Sequence, residues 1–192
     1  MAKLTFGKTR RRVNYDLLRE MIVWTFQIAI VCLLAFVCVY YFGQRAGMIG
    51  DSMSPGLKNG NITLISKAAY SMGTPKRGDV VAFKPNGNES SHYYIKRIVG
   101  LPGETIEVVD GKIVVNGREI KEKYETTKIV DLGLLSEPVK LKNNEYFVLG
   151  DNRNDSYDSR QIGTIHKKDI LGRAWVRFYP FNKIGFVAHR KD

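Results

Sequence analysis

Residues 105–115 read TIEVVDGKIVV, two runs rich in β-branched side chains that meet at Asp110-Gly111. An Asp-Gly pair supplies the positive backbone angles that a two-residue hairpin turn demands, and the alternation of apolar and polar positions on either side suits strands with one buried face. The stretch therefore predicts a hairpin with strands over 105–109 and 112–115. Outward from it, similar short runs occupy residues 62–66, 79–83, 93–99, 146–149 and 170–179, separated by turn signals, with another tight turn expected at Asn116-Gly117. Short strands at this spacing predict an all-β domain, a compact and mostly antiparallel sheet of barrel-like form. Residues 121–145 are polar and weakly patterned, and read as a peripheral excursion rather than a second domain.

Ahead of the β-rich region, residues 21–43 carry no charge across twenty-three positions, MIVWTFQIAIVCLLAFVCVYYFG. At 1.5 Å per residue a helix of that length spans roughly 35 Å, enough for the apolar core of a bilayer. The run is longer than the apolar core of a removable signal, and it closes on the bulky Val39-Tyr40-Tyr41-Phe42, which suits an interfacial aromatic belt, so it reads as a retained anchor. Before it, Lys3, Lys8, Arg10, Arg11, Arg12 and Arg19 outnumber Asp16 and Glu20, six against two, whereas Arg45 stands alone just beyond it. Positive-inside asymmetry then keeps a tail of residues 1–20 in the cytoplasm and places residues 44–192 outside the cell membrane.

With 192 residues the chain has room for one modest domain besides the anchor, and 44% apolar with 11% aromatic residues is enough for a packed core. The net charge is +11; the tail accounts for +4, and the remaining +7 is explained by attraction to anionic lipid head groups, so no nucleic acid is implied. Both cysteines, Cys32 and Cys38, lie inside the apolar run, which excludes a disulfide scaffold and a Cys-rich zinc site. Neither His92, His166 nor His189 stands in a triad motif or at metal-ligand spacing, and no GxSxG elbow occurs.

Three segments combine nucleophile, base and tight-turn residues: GDSMSPGL at 50–57, YYIKRIVGLPGE at 93–104 and GDNRNDSYDSR at 150–160. Taken singly, each has an ordinary structural reading, as a turn, a strand with solvent-facing lysine and an Asx-rich loop. Ser52 lies nine residues beyond the apolar run, within about 30 Å of the membrane face even if the chain is fully extended.

Together the segments resemble the type I signal peptidases, membrane-bound bacterial serine proteases. Ser52-Met53-x-Pro55 resembles the nucleophile box and Arg77-Gly78-Asp79-Val80-Val81 the strand box that follows. Lys96-Arg97-x-Val99-Gly100-Leu101-Pro102-Gly103 is similar to the general-base box, and Gly150-Asp151-Asn152 with Ser156-x-Asp158-Ser159-Arg160 completes the set in family order. The likeness covers roughly residues 45–187, and the compact length is similar to the Gram-positive forms. Gly56 departs from it, since the family usually has Thr after the proline.

The resemblance implies an endopeptidase that removes signal peptides after small residues, of the Ala-x-Ala type, with Ser52 as nucleophile and neutral Lys96 as its base. The chemistry is reasonable on its own terms: an ordinary lysine is deprotonated in only about one molecule in a thousand near pH 7.4. Burial would lower its pKa, and Tyr94, Ile95, Ile98 and Val99 surround Lys96 in sequence. By resemblance Ser156 would orient the Lys96 amine, Asp158 and Arg160 would pair to hold the loop, and the oxyanion would meet the Ser52 N–H and a second donor near Gly50. Ile49, Met53, Leu57, Tyr94 and Ile95 are the candidates for the wall of a shallow apolar substrate pocket. The implied partners are signal peptides of secretory preproteins, the phospholipid membrane and the Sec translocation pathway. A hydroxyl and an amine suffice for amide hydrolysis, so neither cofactor nor metal is implied. Two other readings stay open: a non-proteolytic relative that assembles surface appendages, which would lack one of the catalytic pair, and a tethered β domain that only binds peptide or lipid.

Overall fold

The computed structural model describes residues 15–71, 73–85, 92–122, 124 and 126–187; Lys3, Lys8, the Arg10–Arg12 triplet and His189 lie outside the described residues. The helix α1 (Tyr15–Phe42) runs for 28 residues with no buried side chain, and it is long and apolar enough to cross a membrane. It starts before the uncharged run because Asp16 suits the first turn of a helix, where backbone N–H groups lack partners. Thr25 satisfies its hydroxyl within the helix by donating to the Met21 carbonyl at 2.7 Å. The chain divides into two compact units, one ending at Val39 and the other starting at Tyr40.

The second unit is built on β1 (Gln44–Gly47), β2 (Ile62–Ser66), β3 (Val80–Phe83), β4 (Tyr94–Gly100), β9 (Glu145–Leu149), β10 (Ile165–His166), β11 (Ile170–Tyr179) and β12 (Gly185–Phe186). These form one sheet in the order β1-β2-β11-β3-β4-β9-β10, with β12 on β11, and the path is open-ended, a half-barrel rather than a closed one. A smaller sheet orders β7 (Arg118–Glu119), β6 (Lys112–Val115), β5 (Thr105–Val109) and β8 (Val139–Lys140). Every pairing in both sheets is antiparallel. The hairpin sits at its expected place: Val109 pairs Lys112, with φ of 52° at Asp110 and 76° at Gly111. A second such turn, φ 50° at Asn116 and 75° at Gly117, joins β6 to β7.

The unbroken apolar run of β3 marks a strand buried on both faces. Val80 and Ala82 pack with Met53, Leu57, Ile65 and Ile95, while Val81 and Phe83 pack with Ile98, Val148 and Ile170. Residues 121–145 are no mere excursion, which corrects the sequence reading. Ile129, Leu135 and Leu141 are buried with Ile106, Ile113 and Phe147, so the segment closes the core of the smaller sheet. Strands β7, β8, β10 and β12 have two residues each, too few for a period-two pattern to mark them, and β1 carries a single apolar side chain, Ala46.

At the start of this unit the Lys67 N–H donates to the Tyr41 carbonyl at 3.0 Å, and the Phe42 ring meets Trp175 edge-on with centroids 6.1 Å apart. Two backbone bonds close the neck of the loop between β1 and β2, Met48 N–H to Asn61 O at 2.8 Å and Gly60 N–H to Met48 O at 3.0 Å. That loop carries Ser52.

Candidate active site

Ser52 sits in consecutive tight turns, with Ser54 N–H donating to Asp51 O at 2.9 Å and Leu57 N–H to Met53 O at 2.8 Å. Met53 and Leu57 pin the loop because both side chains are buried in the core beside β3. The Asp51 carboxylate accepts the Asn59 N–H at 3.0 Å, and Asn59 Oδ1 accepts the Gly50 N–H at 3.2 Å. The Gly50 amide is therefore engaged by a side chain of its own loop, whereas the Ser52 N–H has no partner among the described residues.

Lys96 lies in the middle of β4, opposite Val81 of β3, and its Nζ is hydrogen-bonded to Ser52 Oγ. Only 4% of Lys96 and 7% of Ser52 is exposed. Burial lowers the Lys96 pKa from its ordinary 10.5 to about 8, against the pull of the Asp158 and Asp155 carboxylates, which favour the ammonium form.

Arg97 points to the other face of β4 and is buried as well. It donates from Nε and Nη2 to the two oxygens of Asp151 at 2.8 and 2.7 Å, and from Nη1 to Gly78 O at 2.8 Å. This fork locks residues 150–160 to the strand that carries Lys96. Asn152 N–H reaches Ser52 O at 3.0 Å, tying the same loop to the nucleophile loop. Their approach is so close that a Cβ on Gly150 would lie 2.2 Å from Ser156 Oγ and 2.4 Å from Ser52 O. Arg77 pairs with Glu104 and bonds the Val99 carbonyl, joining the turn before β3 to the end of β4.

Asp158 and Arg160 form a buried pair, Nε to Oδ1 at 2.9 Å and Nη2 to Oδ2 at 3.0 Å. Asp158 also caps the short helix α2 (Ser159–Ile162) and accepts the Gly150 N–H at 3.0 Å. The Ser156 hydroxyl donates to Asp158 Oδ2 at 2.6 Å, so its bond is to this carboxylate and not to the Lys96 amine expected from the sequence.

Ser52 and Lys96 open onto a cleft of about 490 Å³. Of the five residues proposed from sequence as its wall, Ile49, Tyr94 and Ile95 line it. Met53 and Leu57 do not; they border a separate cavity of about 130 Å³ with Gly56, Arg97 and Asp151. A Cβ on Gly56 would meet only ordinary contacts, 3.5 Å to Met53 O and 3.7 Å to Asp151 Oδ2, so that site has room for a larger residue.

Sequence reasoning missed Asp155, Tyr157 and His92 on the cleft. Tyr157 is recoverable from position alone, since it lies between Ser156 and Asp158; its ring stands 6.4 Å from that of Tyr94. Among the described residues no group of three His, Cys, Asp or Glu could hold a metal ion.

Comparison with known proteins places these features in a family context. Residues 20–179 match the family model described as signal peptidase, peptidase S26. The chain is 36% identical over 187 residues to signal peptidase I P of Bacillus subtilis subsp. natto, covering 93% of this chain and 97% of the relative. It is 38% identical over 142 residues to signal peptidase I of Leptolyngbya laminosa, covering 70% and 68% of the two chains. A crystal structure of a signal peptidase I from Enterococcus faecalis V583 aligns with 53% of this chain and 97% of its own at 29% identity, with a TM-score of 0.44.

Proposed function

The chain belongs to the signal peptidase family, peptidase S26, and from that premise we propose that Ser52 and Lys96 carry out its peptide hydrolysis. As a signal peptidase I it cleaves signal peptides from preproteins, and α1 fits a membrane anchor. The observation that carries the proposal is the hydrogen bond between Lys96 Nζ and Ser52 Oγ, with both residues buried and lining one cleft.

In the neutral amine state the direction of that bond reverses, and the Ser52 hydroxyl donates to Lys96 Nζ. Ser52 Oγ attacks the scissile carbonyl as its proton passes to the amine, and the new C–O bond leaves a negative oxygen facing the unpartnered Ser52 N–H. Collapse breaks the C–N bond, and the lysine ammonium returns its proton to the leaving amine. A water deprotonated by the same lysine then hydrolyses the Ser52 ester. Ser156, Asp158 and Arg160 act through position: Arg160 fixes Asp158, and Asp158 holds Ser156 and Gly150 against the dyad.

The shallow apolar surface formed by Ile49, Tyr94 and Ile95 fits small side chains one and three residues before the cut, as in Ala-x-Ala. The charge asymmetry around α1 supports a cytoplasmic N-terminus with residues 44–192 outside, where Sec-exported preproteins emerge.

The test is cleavage of a preprotein whose signal ends in Ala-x-Ala, in liposomes, by the wild type beside Ser52→Ala and Lys96→Ala. Cleavage by the wild type alone is expected. Cleavage that survives Lys96→Ala would remove the lysine from the chemistry, and a folded wild type that leaves every preprotein intact would point to an assembly factor.

A further inference from the structure

The active-site cleft does not end where the apolar wall ends. A second groove, of about 310 Å³, shares Gly47, Ile49, His92 and Tyr93 with it, so the two are one trough. Each wall of that trough is a continuous stretch of chain leading to one member of the dyad. One runs from Arg45 to Ser52, the other from His92 to Lys96. Along the first, Arg45, Gly47 and Ile49 are exposed while Ala46 and Met48 are buried, the alternation of an extended chain. Since β1 ends the order of its sheet, its outer edge offers backbone groups to an extended peptide.

The far end of the trough is basic. Among the described residues its lining carries the basic side chains Arg45, Lys84 and His92 and no acidic one. Lys84 is half-buried with its Nζ 5.2 Å from the centre of the Tyr93 ring, so its charge is held over the floor of the groove. Lys96 lies four residues beyond His92, at most about 13 Å at 3.3 Å per residue, and Ser52 seven beyond Arg45, at most about 25 Å. Ile49, Tyr94 and Ile95 occupy the interval, and on the peptidase reading given above, which this inference rests on, that interval holds the residues just before the cut. The basic end then faces the substrate further upstream on the same side.

We propose that Arg45, Lys84 and His92 form a charge-selective subsite that favours an acidic side chain, and disfavours a basic one, roughly four to seven residues before the scissile bond.

The test uses the full chain in detergent and matched peptides ending their signal in Ala-x-Ala, with Glu, Ala or Lys placed in turn at each of those four positions. Cleavage efficiency should follow Glu over Ala over Lys at one position or more. A Glu-to-Lys ratio of about tenfold is expected, arising in KM and shrinking in 0.5 M salt. The double variant Arg45→Glu, Lys84→Glu should invert the order. The single neutral variants Arg45→Gln and Lys84→Gln should each narrow the ratio, and they decide the matter if the double variant does not fold. Equal cleavage of the three peptides at every position, or a ratio that neither neutral variant narrows, overturns the subsite. Failure of the wild type on the Ala peptide would instead overturn the peptidase reading beneath it.

Discussion

The burial that makes Lys96 a base also makes its charged form expensive, and both consequences can be measured. With a pKa of about 8, the neutral amine grows tenfold per pH unit below that value and levels off above it. Single-turnover cleavage of a short peptide should therefore rise with pH up to about 8 and then flatten; a rate indifferent to pH between 6 and 8 would contradict the assignment. Stability follows with its own sign. Because the folded pKa lies below the ordinary 10.5, the unfolded chain binds more protons between about 8 and 10.5, and stability climbs with pH across that window. Below it the folded protein bears the full cost, about 3 kcal/mol by linkage. Lys96→Met keeps the volume and removes the charge, so it should raise the denaturation midpoint at pH 7 while abolishing cleavage, and the gain should fade towards pH 10.5. An equal gain at both pH values would trace the effect to packing instead.

At the scale of elements, the segment from Glu122 to Gly133 decides how firmly the catalytic loop is held. The Tyr124 ring covers the Arg97 guanidinium at 3.8 Å, Glu122 pairs with Arg153, Thr127 Oγ1 accepts the Arg153 N–H at 2.8 Å, and Asp131 O accepts Arg160 Nη1 at 2.9 Å. Arg97, Arg153 and Arg160 thus all lean on one strap. Tyr124→Ala should destabilise the protein by about 1–2 kcal/mol and lower kcat more than it raises KM, whereas Tyr124→Phe, which keeps the stack and loses only the bond to Glu122, should behave nearly as the wild type. Equal losses in the two variants would place the effect in the hydroxyl. Gly150→Ala is the harsher probe, because its Cβ overlaps the Ser52 carbonyl and Ser156 hydroxyl; activity should fall at least about 100-fold with the fold retained, read by circular dichroism beside the cleavage assay. The strap was illegible in the sequence for a physical reason. Its polar residues satisfy buried arginines from distant segments, and nothing local announces that need. The hairpin at Asp110-Gly111, the buried run of β3 and the order of the chemical segments were legible because turn chemistry, two-faced burial and residue spacing act within a few positions. Ser156 shows the boundary: its place in the loop could be read from spacing, but its hydrogen bond to Asp158 could not. Likewise, a period-two pattern cannot say that Met53 and Leu57 turn into the core while Ile49 faces the cleft.

For the molecule as a whole, the two units solve the problem of apolar surface in opposite ways. Among the described residues the first buries no side chain and leaves its apolar side chains on the outside, an arrangement that fits a helix surrounded by lipid. The second buries three clusters around its sheets, yet still exposes Phe178, Phe181, Ile184 and Phe186, the last at 84%. The Phe178 and Tyr179 rings each meet Phe181 edge-on, at 5.4 and 5.6 Å, so these three rings form one patch rather than scattered residues. A chain starting at Tyr40 retains every cluster of the second unit, and it should melt cooperatively and cleave a soluble peptide at close to the rate of the full chain. It should also remain attached to vesicles of mixed zwitterionic and anionic phospholipid, through insertion of those rings at the interface. Burying one Phe side chain is worth roughly 1.5–3 kcal/mol, so Phe181→Ser with Phe186→Ser should weaken vesicle binding by about 100-fold or more without altering peptide cleavage. Vesicle co-sedimentation of the shortened chain and its double variant measures the difference. Equal binding by the two would assign the attachment to basic charge, and 0.5 M salt would then release both, because electrostatic attraction to a lipid surface is screened while ring insertion is not.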